Sequence, residues 1–452
     1  MHAMKNLYLV TMHLTVFLTA FNSAGGEARI VEEIEVDYVW AANTVSFDLY
    51  TAGEKQFVAY YDENRMMTVA AREIGSDQWK KTTLPNKLVW DSHNSVAIAA
   101  DEHGYLHVSG NMHVNPLTYF RSEKPFDIHS FVEVNKMVGT NEASVTYPRF
   151  FTHNDGSLLF RYRSGTCGNG NVLVNRFLPE EGKWERYLKK PLFEGINEND
   201  VRAAYHRFTR DSDGNYHFVW IWRWNPRVDT THQICYAKTS DLINWTNAAG
   251  EPVQLPFRPD DERVIVDPTP AKGGMHNGRY EIILDQDGSP IIGYIKYDDE
   301  GLTQFYLARF EEGEWVSTQI SDWDFRWEFF GGGDQMTVGG AFSFAGLSEE
   351  GFVVIDWRTE KGDSGRYAVD SKTFEHADES VNFTEKYPSD MRSRMTDRPG
   401  LNVNIAMDQG RPSDTETRYV LKWEGGPRSH GRHAPEVIPE GPLSKLVLLK
   451  VR

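Results

Sequence analysis

The chain has 452 residues, 40% of them hydrophobic and 13% aromatic, enough to bury a large core and too apolar for a disordered chain. Its 48 basic and 65 acidic side chains leave a net charge of −17, and phosphate recognition needs a cationic surface, so a nucleic-acid partner is not expected. Two cysteines exclude a disulfide framework, and no apolar run of about 18 residues follows the N-terminus, so neither is membrane insertion.

Lys5 precedes a mostly apolar stretch, Leu7 to Ala20, and small residues follow at Ser23, Ala24, Gly25, Gly26 and Ala28. That order is the pattern of an export signal over residues 1–28. A secreted or periplasmic monomer is expected, with residues 29–452 as one domain. Export leaves two fates open for Cys167 and Cys235: a disulfide or two free thiols.

Beyond the signal, short β-rich runs recur: FVAYYDE, SVAIAAD, YLHVSG, LLFRYR, YHFVWIWRW, PIIGYIKY and FVVIDWR. No segment keeps a 3.6-residue apolar period for three turns, so the chain reads as all-β. A turn signature precedes several runs: Asp101-x-x-Gly104, Asp211-x-x-Gly214, Asp285-x-x-Gly288, the related Glu349-Glu350-Gly351 and the shortened Asp155-Gly156. An aromatic marks a later strand of each unit at Trp79, Phe131, Trp184, Trp245 and Trp315. Units of ~60 residues predict a seven-bladed β-propeller of four-stranded antiparallel blades. The C-terminal SKLVLLKVR reads as a strand that closes one blade with N-terminal material. A pair of β-sandwiches is the rival architecture.

The chemistry gathers between residues 90 and 230. Trp90-Asp91-Ser92-His93-Asn94 and Ser109-Gly110-Asn111-Met112-His113 each set an imidazole beside an asparagine at a strand end. Thr146-Tyr147-Pro148-Arg149 follows, and then Arg161-Tyr162-Arg163, where Arg161 and Arg163 share one strand face. Gly165, Gly168 and Gly170 would let the backbone pass close to a ligand or turn sharply. Trp220-Ile221-Trp222-Arg223-Trp224 places an arginine among three indoles that either stack on sugars or fill the core. Residues 141–230 hold 13 basic and 11 acidic side chains, a balance of 13 − 11 = +2 within an acidic protein.

The blocks DSHNSVAIAADEHGYLHVSGNMHVNPL, SVTYPRFF, FRYRSGTCGNGN, FVWIWRWNP and VIVDPTPAKGGMHNG resemble those of the BNR-repeat propellers. That group includes secreted polysaccharide lyases acting on ulvan and rhamnosyl-glucuronate linkages, and related α-L-rhamnosidases. The resemblance implies that His93, His113, Tyr147 and Arg163 are catalytic. Arg223 would be a further contact to an acidic polysaccharide, joined by Asn94, Asn111, Tyr205 and His206.

A lyase on a 4-linked uronate removes the C5 proton, steadies charge on the carboxylate and protonates the leaving O4. Histidine suits the base, with an ordinary pKa near 6.5. Arginine suits the carboxylate, which its planar fork binds bidentately. The reading is therefore His113 or His93 as base, Tyr147 as acid or in both roles, and Arg163 as neutraliser. A hydrolase would ordinarily need two flanking carboxylates, for which Asp91 and Asp229 are the nearest candidates. A non-catalytic carbohydrate-binding propeller is the third class. His206, His217, His232 and Cys235 lie close in sequence without a recognised zinc spacing. The metal is thus unknown: a structural calcium or zinc is conceivable, and the chemistry requires no cofactor.

Overall fold

The computed structural model describes residues 28–134, 136–196, 201–331 and 339–452. The export segment read over residues 1–28 lies outside these, apart from Ala28. The described residues form seven sheets, with helix confined to short 3-10 turns. No helix among them is long and apolar enough to cross a membrane.

The first sheet joins both ends of the chain. Its strand order is Ile30–Trp40, Leu443–Val451, Arg418–Gly425 and Asn402–Met407. The C-terminal run thus lies between N-terminal and late strands, with Ile34 opposite Leu448 and Leu421 opposite the same residue. The other six sheets follow in chain order, starting at Asp48–Gly53, Val96–Ala100, His113–Asn115, Arg202–Arg210, Tyr280–Leu284 and Gly340–Leu347. Among the described strands pairing is antiparallel except where Arg411–Pro412 runs parallel beside Asp48–Gly53, and a lone parallel bridge joins Phe193 to Phe257. The sheets differ in width. Three have four strands, two have five, one has six and one has three, so uniform four-stranded units are not what forms. The extra strands are short edge pieces such as Arg411–Pro412, His113–Asn115 and Pro252–Val253, which cap sheet edges that would otherwise be unpaired.

The repeated turn has one physical cause. In Asp101, Asp211 and Asp285 the carboxylate accepts backbone N–H groups two and four residues on, and the glycine takes positive φ at 82°, 83° and 77°. Ser348 plays the same part before Gly351, where its hydroxyl accepts from Phe352 N. Each such turn joins the first strand of its sheet to the second. Apolar clusters lie between neighbours rather than within a sheet. Ala97, Tyr119, Phe160 and Trp184 fill the space between the third and fourth sheets; Leu159, Val174, Phe218 and Trp220 fill the next. Sheets buried on both faces read as continuous apolar runs, hence the fully buried Val96–Ala100.

The shared terminal sheet gives a stability prediction. Leu448 is fully buried between two partner strands. Leu448→Ala should therefore cost about 2–5 kcal/mol by denaturant unfolding. A loss within ±0.5 kcal/mol would mean that the closing strand is not integral to the fold.

Candidate active site

Asp91 lies in the segment between Lys80–Lys87 and Val96–Ala100 and is 5% exposed. Its carboxylate accepts from the Nδ1 of His93 at 2.7 Å and from the Nδ1 of His113 at 2.8 Å. It also accepts the backbone N–H groups of His93 and Gly431. Burial alone would raise the Asp91 pKa, but the hydrogen bonds from His113 and His93 outweigh it and hold the carboxyl far below the usual range. The two imidazoles stack with ring centroids 4.0 Å apart. With both Nδ1–H groups donating to one carboxylate, each ring keeps Nε2 as its free basic nitrogen. Burial lowers the His93 pKa, the hydrogen bond to Asp91 opposes that, and His113 adds to it.

Strand register brings the remaining groups to this pair. His113 lies opposite Thr146, and Thr146 lies opposite Arg163 on the next strand. A bulge between Thr146 and Arg149 puts Tyr147 at a φ of 59° and re-aims its side chain outward, 36% exposed. The Tyr147 ring stands 6.1 Å from that of His93, and the Arg163 guanidinium lies 4.9 Å over it. Arg163 is 3% exposed, yet its three guanidinium nitrogens find no hydrogen-bond partner among the described residues. Its stem crosses Gly170, where any Cβ would meet Arg163 Cγ at 2.8 Å. That glycine accommodates the arginine. Gly168 accommodates another backbone, since its Cβ would fall 1.9 Å from Asn225 O.

Arg223 stands next to this group through Tyr205. Its guanidinium is 5.7 Å from the Tyr205 ring, and it donates to the carbonyls of Arg227 and Pro226. Burial raises the Tyr205 pKa, Arg223 opposes that, and Tyr147 and Arg163 are close enough to contribute. Cys167 Sγ is 3.5 Å from the Tyr205 hydroxyl. Asn94 is 1% exposed, and neither amide atom has a partner among the described residues. Asn111 spends its NH₂ on Asn86 and on Lys87 O, so it braces the approach to His113. His206 is not gathered in. It points to the face of its strand opposite Tyr205 and stacks on Phe193 at 4.9 Å.

Two participants escape the sequence reading. Asp91 entered it only as a possible hydrolase carboxylate, although the spacing Asp-x-His was in view. His430 gave no signal, being more than 300 residues away, yet its ring centroid lies 4.9 Å from that of His113. Ser429 seats it: Ser429 accepts from the Trp90 indole and exchanges hydrogen bonds with Ser92. Asp91, His113 and His430 present donor atoms within 4.8 Å of one another and could hold a divalent ion. The histidine–cysteine group considered from sequence is dispersed. His217 bonds Asp211 and Tyr236, His232 bonds Arg202 and Thr230 O, and His206 sits among phenylalanines. Cys167 and Cys235 are both free thiols.

A family model described as "BNR repeat-containing family member" matches residues 55–323. Among curated proteins, the long isoform of ulvan lyase from Alteromonas sp. (strain LOR) is 26% identical over 185 residues, 36% of this chain and 18% of its own length. That from Pseudoalteromonas sp. (strain PLSV) is 29% identical over 141 residues, covering 28% of this chain and 14% of its own. The chain thus spans less than a fifth of each of these relatives. The crystal structure of polysaccharide lyase Uly1 has a TM-score of 0.61 at 15% identity, covering 93% of this chain and 99% of its own. A PL25 ulvan lyase bound to -[GlcA(1-4)Rha3S]- gives 0.57 at 13%, covering 87% and 93%. At such identities the likeness is one of fold.

The carboxylate clamp gives a spectroscopic prediction. Nitrogen-15 spectra of the protein should show His93 and His113 as Nδ1–H tautomers. In Asp91→Asn one amide oxygen replaces two acceptors, so at least one ring should lose that tautomer. Unchanged ring signals in the variant would show that Asp91 does not orient them.

Proposed function

The chain belongs to the BNR repeat-containing family, and from that premise we propose that it is a polysaccharide lyase. In this reading the seven sheets are the blades of one propeller ring, and the substrate is a rhamnose- and uronate-containing polymer of the ulvan type. An export signal fits such a polymer, which is met outside the cytoplasm.

The observation that carries the proposal is Arg163. A buried guanidinium without a protein partner costs several kcal/mol, and a bound carboxylate is the group that offsets this best. A uronate carboxylate on Arg163 would place its sugar against the Tyr147 ring and the two imidazoles. His93 is the better base of the pair: its side chain is 25% exposed against 9% for His113, and it is the ring beside Tyr147. Its Nε2 takes the C5 proton, and the C–H electron pair becomes the C4=C5 double bond. The C4–O4 bond breaks, and Tyr147 returns a proton to O4. Arg163 offsets the charge that grows on the carboxylate as C5 is deprotonated, the largest single contribution to the rate in such a reaction. His113 stacks on the base and shares its carboxylate; Tyr205 and Arg223 extend the cleft wall. No step needs a cofactor.

Hydrolysis fits less well. Asp91 is the carboxylate within the cluster, and it is held ionised by two imidazoles, which unsuits it to act as a general acid.

Incubation with ulvan should release oligosaccharides that absorb ultraviolet light through the new double bond, while a hydrolase would release reducing sugar without it. Tyr147→Phe should stay folded and lose about 10²–10⁴-fold in kcat with little change in KM. Near-normal unsaturated product from the folded variant would remove Tyr147 from the mechanism. Arg163→Lys keeps the charge but not the fork, so both KM and kcat should suffer. The pH profile follows from His93. Its lowered pKa keeps the free base available at lower pH than an ordinary imidazole would, so the acid limb of kcat/KM should fall below pH 6.5. A limb at or above that value would point to another base.

A further inference from the structure

On the outer flank between the fourth and fifth sheets lies a groove of about 910 Å³ that shares no residue with the histidine cluster. Its volume is in the roughly 300–1,000 Å³ range of ligand clefts. Strand Lys183–Arg186 runs into one wall, and Trp245–Thr246 and Pro252–Val253 form the other. The floor is apolar, made of buried Leu188, Trp245 and Val253. The walls carry three exposed lysines, Lys189, Lys190 and Lys238, and no Asp or Glu lines the groove.

That charge pattern runs against the rest of the protein, whose net charge is −17. Nearby cations are neutralised: Lys183 pairs with Glu181, Arg258 with Glu194 and Arg263 with Asp261. The three groove lysines have no carboxylate partner among the described residues, and Lys190 reaches only the carbonyl of Leu255. The groove also continues. Lys190, Gln254 and Leu255 line an adjoining hollow whose far end carries the paired Arg258 and Arg263 together with Asp260 and Asp261, so the unpaired positive charge is confined to the three lysines. An apolar floor between cationic walls fits a ligand with apolar ring faces and anionic edges, and an extended strip fits a polymer better than a small anion.

We propose that this groove is a second binding site for a segment of an acidic polysaccharide, away from the histidine cluster. It holds the polymer on the protein between turnovers. That the polymer is also the substrate rests on the lyase reading; the binding itself does not.

The test is affinity electrophoresis of the full chain carrying Tyr147→Phe, so that polymer in the gel is not cut. Native gels would contain glucuronan, dextran sulfate or neutral hydroxyethylcellulose. The polyanions should retard the protein and hydroxyethylcellulose should not; glucuronan reports carboxylate recognition and dextran sulfate reports sulfate. Lys189→Ser, Lys190→Ser and Lys238→Ser combined should weaken retardation about tenfold, because three exposed charge contacts are removed. The same three changes with Tyr147 intact should leave turnover of short oligosaccharides unchanged. Thermal unfolding would confirm that the triple variant is folded. Equal retardation of triple variant and parent, retardation by the neutral polymer, or none by either polyanion would overturn the proposal. Retardation without any lyase activity would instead overturn the proposed reaction and leave the groove assigned.

Discussion

The pairing of Ile30–Trp40 with Leu443–Val451 holds the two ends of the chain in one sheet, and the histidine cluster depends on it. The segment after Arg418–Gly425 leaves that sheet beside Ala41, which accepts from Gly426 N, and runs across Trp90 to Ser92. There Ser429 and Gly431 hydrogen-bond the residues on either side of the carboxylate and the carboxylate itself. Without the terminal pairing, nothing local to residues 90–115 would bring His430 to His113 or close the back of Asp91. A long-range sheet contact thereby sets the electrostatics of a short loop.

Charge burial is the theme of the cluster. Asp91 is an anion whose desolvation is offset by four N–H donors, two of them imidazole. Arg163 is a cation whose desolvation the described residues do not offset with any hydrogen bond, only with the face of Tyr147. One site is satisfied and rigid. The other, in the proposed reaction, receives the uronate carboxylate. The difference matters more than the count of charged groups, because a preorganised cation in a low-dielectric setting interacts with a bound carboxylate more strongly than a solvated one would.

The sequence makes the all-β class legible because the Asp-x-x-Gly turns are local: each carboxylate bonds N–H groups within four residues. It makes the order of the units legible for the same reason. Sheet width is not legible, since added strands such as Arg411–Pro412 pair with residues more than 350 positions away. At the site, His93, His113, Tyr147 and Arg163, expected from motif and chemistry, do come together, and three of them lie on adjacent strands or their bulge. The bonds of Asp91 to two imidazoles are not visible, because a carboxylate looks the same in sequence whether it faces a sugar or a histidine. His430 is invisible, as its placement is decided by the terminal sheet. Of the two uses the sequence offers for the glycines after Arg163, a close approach to a ligand or a sharp turn, Gly165 and Gly168 take positive φ at the hairpin between paired strands, while Gly170 leaves room for the arginine's own stem.

The register that aligns His113, Thr146 and Arg163 across three neighbouring strands acts as a ruler. Strands repeat every 4.7–4.9 Å, so the backbone positions of His113, the ring stacked on His93, and of Arg163 are set about 9.5 Å apart by main-chain hydrogen bonds. Sequence drift at the surrounding positions can reshape the cleft for another sugar without disturbing the span. A one-residue slip of the strand carrying Arg163 would turn its guanidinium to the opposite face of the sheet, and the span would measure nothing.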